Sequence, residues 1–191
     1  MRSLYMVENQ EFKNQFSFLA TCLGRTKNLY SFFEEEIKND NFDYSLKFKN
    51  ASEKINKFYD ECLRIIFDSQ DNFNTDINLF YELAPSYEEY STVYSTIATQ
   101  IAVMCTSIGE FYDSKNVDLI NEVSMNFEEV INIVKSEEFN TKNLDGDSWN
   151  YVESFLEKEY EDQLEIIKEI ENQNLSKNQF RELVNQYQIT F

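Results

Sequence analysis

The side chains best suited to chemistry in this chain are carboxylates, and the groups that usually work with them are missing. Thirty-five Asp and Glu stand against 17 Lys and Arg, and histidine is absent. Without imidazole there is no Ser-His-Asp or Cys-His nucleophile system. His-containing zinc sites and the Glu-x-x-His signature of di-iron bundles are excluded with it. Cys22, Cys62 and Cys105 form no Cys-x-x-Cys motif and have apolar neighbours, so buried free thiols are expected, not disulfides. Gly24, Gly109 and Gly146 are too scattered for a phosphate-cradling loop or a dinucleotide fingerprint. A carboxylate pair alone can run glycosidase-type acid/base chemistry, but 35 acids bring such pairs together by chance. Asn143-Leu144-Asp145-Gly146-Asp147 lacks the spacing and terminal bidentate Glu of a calcium loop and reads as a solvated turn. The expectation is a protein that is not an enzyme, with no cofactor and no metal.

The acids are unevenly placed. Residues 1–80 carry a net charge of −3, residues 81–171 carry −16, and residues 172–191 carry +1. Glu153, Glu157, Glu161, Glu165 and Glu169 recur at i, i+4 spacing, with Asp162 beside them and only Lys158 and Lys168 nearby. On a helix this reads as one acidic face. Each like-charge pair at that spacing costs roughly 0.2–0.5 kcal/mol, about 1–2 kcal/mol for four pairs, so helix stability alone would favour lysines there. Two readings stand: a solvated face kept acidic for solubility, and a docking stripe that steers a basic surface. Tyr87-Glu88-Glu89-Tyr90, followed by Tyr94, mixes aromatic anchors with acids as interface hot spots do; core-edge tyrosines with wet hydroxyls are the alternative.

These groups must be carried by helices. Three Gly and one Pro leave few positions for the positive-φ turns of hairpins, and no segment alternates apolar and polar over a strand length. Phe12, Phe16, Leu19, Cys22 and Leu23 predict a helix over 9–24 that ends near Gly24, and a short one follows over 29–38. Asp43 is placed to cap a long helix over 43–68, with Leu46 in its apolar stripe; 69–76 is a loop. A short helix over 77–83 stops at Pro85, and Ser86 with Glu89 has the form of a capping box for the next helix. That helix, apolar or small on most faces over 92–108, should be central. An amphipathic helix over 117–135 and a loop over 140–148 come next. Ser148 then caps a long helix to 171, with Trp149, Val152, Leu156, Leu164, Ile167 and Ile170 inward. Ser176 and Gln179 box the last helix, and the phenylalanines, Phe32 and Phe33 included, should be core. The fold class is all-α: a single-domain bundle of about eight helices over residues 1–191.

Phe18-Leu19-Ala20-Thr21-Cys22-Leu23-Gly24-Arg25, followed by Tyr30 and Phe33, resembles the opening of the YjaG-like family of bacterial helical domains of unknown function. Pro85-Ser86-Tyr87-Glu88-Glu89-Tyr90 is similar to the Pro-x-x-Glu-x-aromatic segment of that family, and the acidic helix over 153–171 is similar in kind to its last helix. The resemblance spans most of residues 11–185 and implies a compact helical bundle with no diagnostic catalytic residue. The chain departs from the family in its long third helix and in Gly24 before Arg25. In character it is also similar to immunity proteins of contact-dependent inhibition and related toxin systems.

The first eight residues reach an acid before any apolar signal region, and no run approaches the roughly 18 apolar residues of a membrane span. A cytoplasmic protein is expected. A net charge of −18 repels phosphate backbones and anionic lipid, so nucleic acid and membranes are poor partners. The leading expectation is an immunity-type inhibitor that covers the active site of a basic, RNA-cleaving toxin domain. Its partner-binding residues are Tyr87, Glu88, Glu89, Tyr90, Glu153, Glu157, Glu161, Asp162, Glu165 and Glu169. The alternative is a housekeeping helical adaptor or homo-oligomer with no toxin.

Overall fold

The apolar spacings become eight α-helices among the described residues: α1 (Phe12–Thr26), α2 (Tyr30–Ile37), α3 (Ala51–Phe67), α4 (Asn78–Leu83), α5 (Val93–Ser114), α6 (Asp118–Thr141), α7 (Ser148–Asn172) and α8 (Lys177–Gln186). This computed structural model describes residues 7–38, 43–69, 71–142, 144, 147–172 and 174–191. It is 78% helical, with no strand among those residues, and its helices pack into one bundle. Seven of them run eight residues or more, and α4 has six. Short 3₁₀ segments occupy Lys27–Leu29 and Asp43–Phe48.

The central position expected for the most apolar helix falls to α5, which packs against α1, α2, α3, α4 and α6. Ile97, Ala98, Ile101, Ala102, Met104, Cys105, Ile108 and Phe111 are fully buried along it. Burying each large member contributes roughly 1.5–3 kcal/mol. The start of α5 is a capping box in which the Ser95 N–H donates to Thr92 Oγ1 at 3.1 Å and the Thr92 N–H donates to Ser95 Oγ at 2.9 Å. Aromatic rings fill the rest of the core: Phe58 lies 4.7 Å from Phe73 and 4.8 Å from Phe80, and Phe12 stacks on Phe111 at 5.6 Å. Phe33 is buried, but Phe32 is half-exposed and joins Tyr94 and Phe191 at the surface instead of the core.

Gly24 does not end α1. It lies inside the helix where a Cβ would come within 2.8 Å of the Tyr59 ring, so its smallness lets α1 approach α3. Gly109 does the same for Ile77, whose Cγ2 would sit 2.3 Å from an added Cβ.

The single helix expected over 43–68 is broken. Asn50 between the 3₁₀ segment and α3 has φ 59°, a left-handed conformation that Asn tolerates. The break seats Phe48 in the core, 5.1 Å from Phe33, and leaves Leu46 at 69% exposure. Ser86 and Glu89 do bond reciprocally, at 3.0 and 3.3 Å, but around one turn only; α5 starts later, at its own Thr92 box. Tyr90 is drawn between Phe33 and Phe48, which takes the chain off the helical path. Helix α6 continues past residue 135 to Thr141, its last turns braced by Glu138 between Lys135 and Lys142 at 2.7 and 2.5 Å. Asp147, not Ser148, caps α7, accepting the Trp149 N–H at 2.9 Å. The box at Ser176 and Gln179 forms as expected.

Candidate functional site

Helix α7 packs against α1 and α6, antiparallel to α1: Glu171 meets Gln10 at one end and Glu159 meets Arg25 at the other. Its inward register is Val152, Leu156, Glu159, Gln163, Ile166, Ile167 and Ile170. Because α1 ends one residue beyond Arg25, the first three turns of α7 project past it, and Trp149 is 62% exposed where an inward position was expected.

The acidic row lies on the outer side of this helix, but it is not one straight face. Four residues at about 100° each overshoot a full turn by about 40°, so Glu169 is rotated by about 160° from Glu153. Glu153, Glu157, Glu161 and Glu165 are exposed, whereas Glu169 and Asp162 are half-buried. Glu165 accepts the Tyr187 hydroxyl at 3.0 Å, and partial burial together with that bond raises the phenol's pKa. The patch left open is Glu153, Glu157 and Glu161, which accept no hydrogen bond or ion pair among the described residues.

The second predicted patch splits in the same way. Tyr87 is 85% exposed and Glu88 is exposed beside it. Glu89 is instead held by Lys47 at 2.8 and 2.9 Å, which keeps its carboxyl below the usual range, and the Tyr90 ring packs on Phe33 and Phe48. This turn belongs to the α2 side of the molecule and α7 to the α1–α6 side, so the two patches do not form one surface.

Sequence spacing missed the two buried carboxylates. Glu159 takes both guanidinium nitrogens of Arg25, at 2.5 and 2.7 Å, with the pair 6% and 2% exposed. Arg25 Nε donates to the Tyr187 carbonyl at 2.7 Å, and the guanidinium lies over the Phe127 ring at 4.9 Å. Burial raises the Glu159 pKa, and Arg25 partly offsets it. Glu61, fully buried, accepts the Asn74 and Thr75 N–H groups at 3.0 Å each and the Thr75 hydroxyl at 3.1 Å, so it ties the 71–76 loop to α3. The signal for Glu159 was its place on the apolar register of α7, three residues after Leu156. Both carboxylates have their oxygens engaged by the protein itself.

The three thiols are buried and free; burial pushes Cys22 up to about 12 and raises Cys62 and Cys105 as well, which leaves them protonated and unreactive. Among the described residues no group of three or more Cys, Asp or Glu could hold a metal ion, and no helix is long and apolar enough to cross a membrane. In comparisons with known proteins, no family model matches the chain, and neither curated proteins nor solved structures give a match.

Proposed function

We propose that this protein acts by binding, and that the outer side of α7 is its docking surface for a basic protein. The observation that carries the reading is that Glu153, Glu157 and Glu161 are exposed, adjacent and unpaired among the described residues, on a helix whose buried carboxylate, Glu159, is matched by Arg25. Two like-charge pairs at i, i+4 cost roughly 0.4–1 kcal/mol in the free protein, and a cationic partner turns that repulsion into attraction. In the form we favour, the partner is an RNA-cleaving toxin domain and the protein is its immunity-type inhibitor. A fold that binds RNA must present a cationic face to phosphates, and an acidic helix competes for that face. Electrostatic steering suits the task, because an inhibitor of a lethal enzyme must associate fast.

The test uses a basic nuclease domain encoded next to this gene. Co-expression should restore growth, and stopped-flow association should be fast at low salt and slow steeply as salt rises. The variant carrying Glu153→Lys, Glu157→Lys and Glu161→Lys should associate at least about tenfold more slowly with a flattened salt slope. Unchanged association kinetics in that variant removes α7 as the docking surface. A gene with no such neighbour, and a chain that self-associates, would point to the adaptor.

A further inference from the structure

Resting on that reading, we infer that Trp149 is the aromatic anchor of the docking surface and that it receives an arginine of the basic partner. Trp149, Glu153, Glu157 and Glu161 form one i, i+4, i+8, i+12 series, so the indole heads the same winding row as the three open carboxylates. It is the sole tryptophan of the chain, and 62% of it faces solvent.

The part of α7 that carries it is packed, not frayed. Phe139 of α6 packs on Tyr151 at 5.4 Å, Tyr151 on Phe155 at 5.0 Å, and Lys135 Nζ lies 4.5 Å from the Phe155 ring centre. Val152 among them is 2% exposed yet lies outside the contiguous main core. This satellite cluster joins the end of α6 to the start of α7 in a tip beyond the end of α1, and no ring contact among the described residues enlists Trp149, which is left for an outside partner. Tryptophan is the residue most enriched among interface hot spots, and it is the best aromatic acceptor of a cation over its face.

Charge selects the occupant. A second copy of this chain, a nucleic acid or an anionic membrane would each bring negative charge against the carboxylate row, whereas a cationic protein surface is complementary to it. Between the two cations, arginine fits better. Its planar guanidinium can stack on the indole while its edge donates to the neighbouring carboxylate at Glu153, a geometry lysine cannot supply.

Two oligocationic peptides of equal length, nona-arginine and nona-lysine, test this with the full-length protein. With one tryptophan in the chain, emission reads the tip alone. The free protein should emit as a water-exposed indole. Nona-arginine should quench or shift that emission in a saturable, salt-sensitive way, and nona-lysine should perturb it much less at equal occupancy. By anisotropy of labelled peptide, Trp149→Ala should weaken nona-arginine about tenfold and leave nona-lysine nearly unchanged. The substitution lies at an exposed position, and an unchanged helical circular dichroism spectrum checks that it folds. If both peptides bind, and the Glu153/157/161→Lys variant abolishes this, but emission does not move and Trp149→Ala has no effect, the anchor is wrong and the acidic docking surface survives. If the triple variant binds both peptides as tightly as wild type, the docking surface fails and the anchor fails with it.

Discussion

The two sides of α7 treat the same residue type in opposite ways. On the inner side Glu159 is buried and doubly bonded to Arg25, whose guanidinium lies against the Phe127 and Tyr187 rings. On the outer side Glu153, Glu157 and Glu161 are exposed and have no partner among the described residues. Nor does the fold leave surface acids unmatched everywhere: on the face shared by α3 and α8, Arg181 pairs with Asp60 at 2.9 Å and Lys177 with Asp68 at 2.5 Å. A buried charge must find a partner because an uncompensated one is strongly unfavourable in a low-dielectric interior. An exposed charge is under no such demand, so its pattern is free to be set by what the protein meets.

The largest effect should come from opening the inner pair. Arg25→Ala leaves a buried carboxylate uncompensated and should lower unfolding free energy by about 3–5 kcal/mol, read as a lower urea midpoint at unchanged slope. Replacing both residues together, Arg25→Met with Glu159→Leu, should recover most of that loss, because the charge to be compensated is gone. Equal damage from the single and double variants would mean that shape, not charge, is what the pair supplies.

The pH dependence of this pair has a defined sign. Burial raises the folded pKa of Glu159 above its ordinary value of 4.5, so the folded state holds that proton more tightly than the unfolded chain. The stability contributed is complete below 4.5 and is lost as pH rises through the folded value. Glu138 is the opposite case: Lys135 and Lys142 hold it at about 2, so its contribution exists above 4.5 and is lost as pH falls toward 2. In urea melts across pH, the stability of wild type relative to Glu159→Gln should grow as pH falls from neutrality toward 4.5. Parallel curves for the two proteins would take Glu159 out of the titration.

The contrast between the two sides of α7 was only half legible in the sequence. Helical class, the central α5 and the Ser176 box follow from apolar spacing and from scarce Gly and Pro, which are local properties. The acidic row was legible too, although counting fours without the 40° overshoot made one face of what winds round the helix. Glu159 was lost among 35 acids because its place on the apolar register of α7 is a weak local mark, and the partner that compensates its charge is 134 residues away. Trp149 was placed inward by periodicity alone, and the ending of α1 two residues after Gly24 decides otherwise. The break at Asn50 depends on Phe48 finding Phe33, again a contact between segments distant in sequence.

Two residues of α7 separate the two environments most sharply. Glu157→Lys removes two like-charge pairs, with Glu153 and Glu161, and replaces them with attractive ones. It should stabilise the protein by about 1–2 kcal/mol at low salt, with the gain fading as salt is added. Glu159→Lys, half a turn on, should place two cations in one buried site and unfold the protein or nearly so. A stabilising Glu159→Lys, or a strongly destabilising Glu157→Lys, would reverse the assignment of inner and outer sides.

The smallest effects should come from the turn before α5, where neighbours again differ. Glu88→Gln and Tyr87→Ser alter exposed side chains and should change stability by less than about 0.5 kcal/mol. Glu89→Gln loses its ion pair with Lys47 and weakens its bond to the Ser86 N–H, and should cost about 0.5–1 kcal/mol. Thermal melts on the three variants rank them directly. If Glu88 proves the more costly of the two acids, the turn is not clamped from the Lys47 side, and Glu89 returns to the set of residues free to meet a partner.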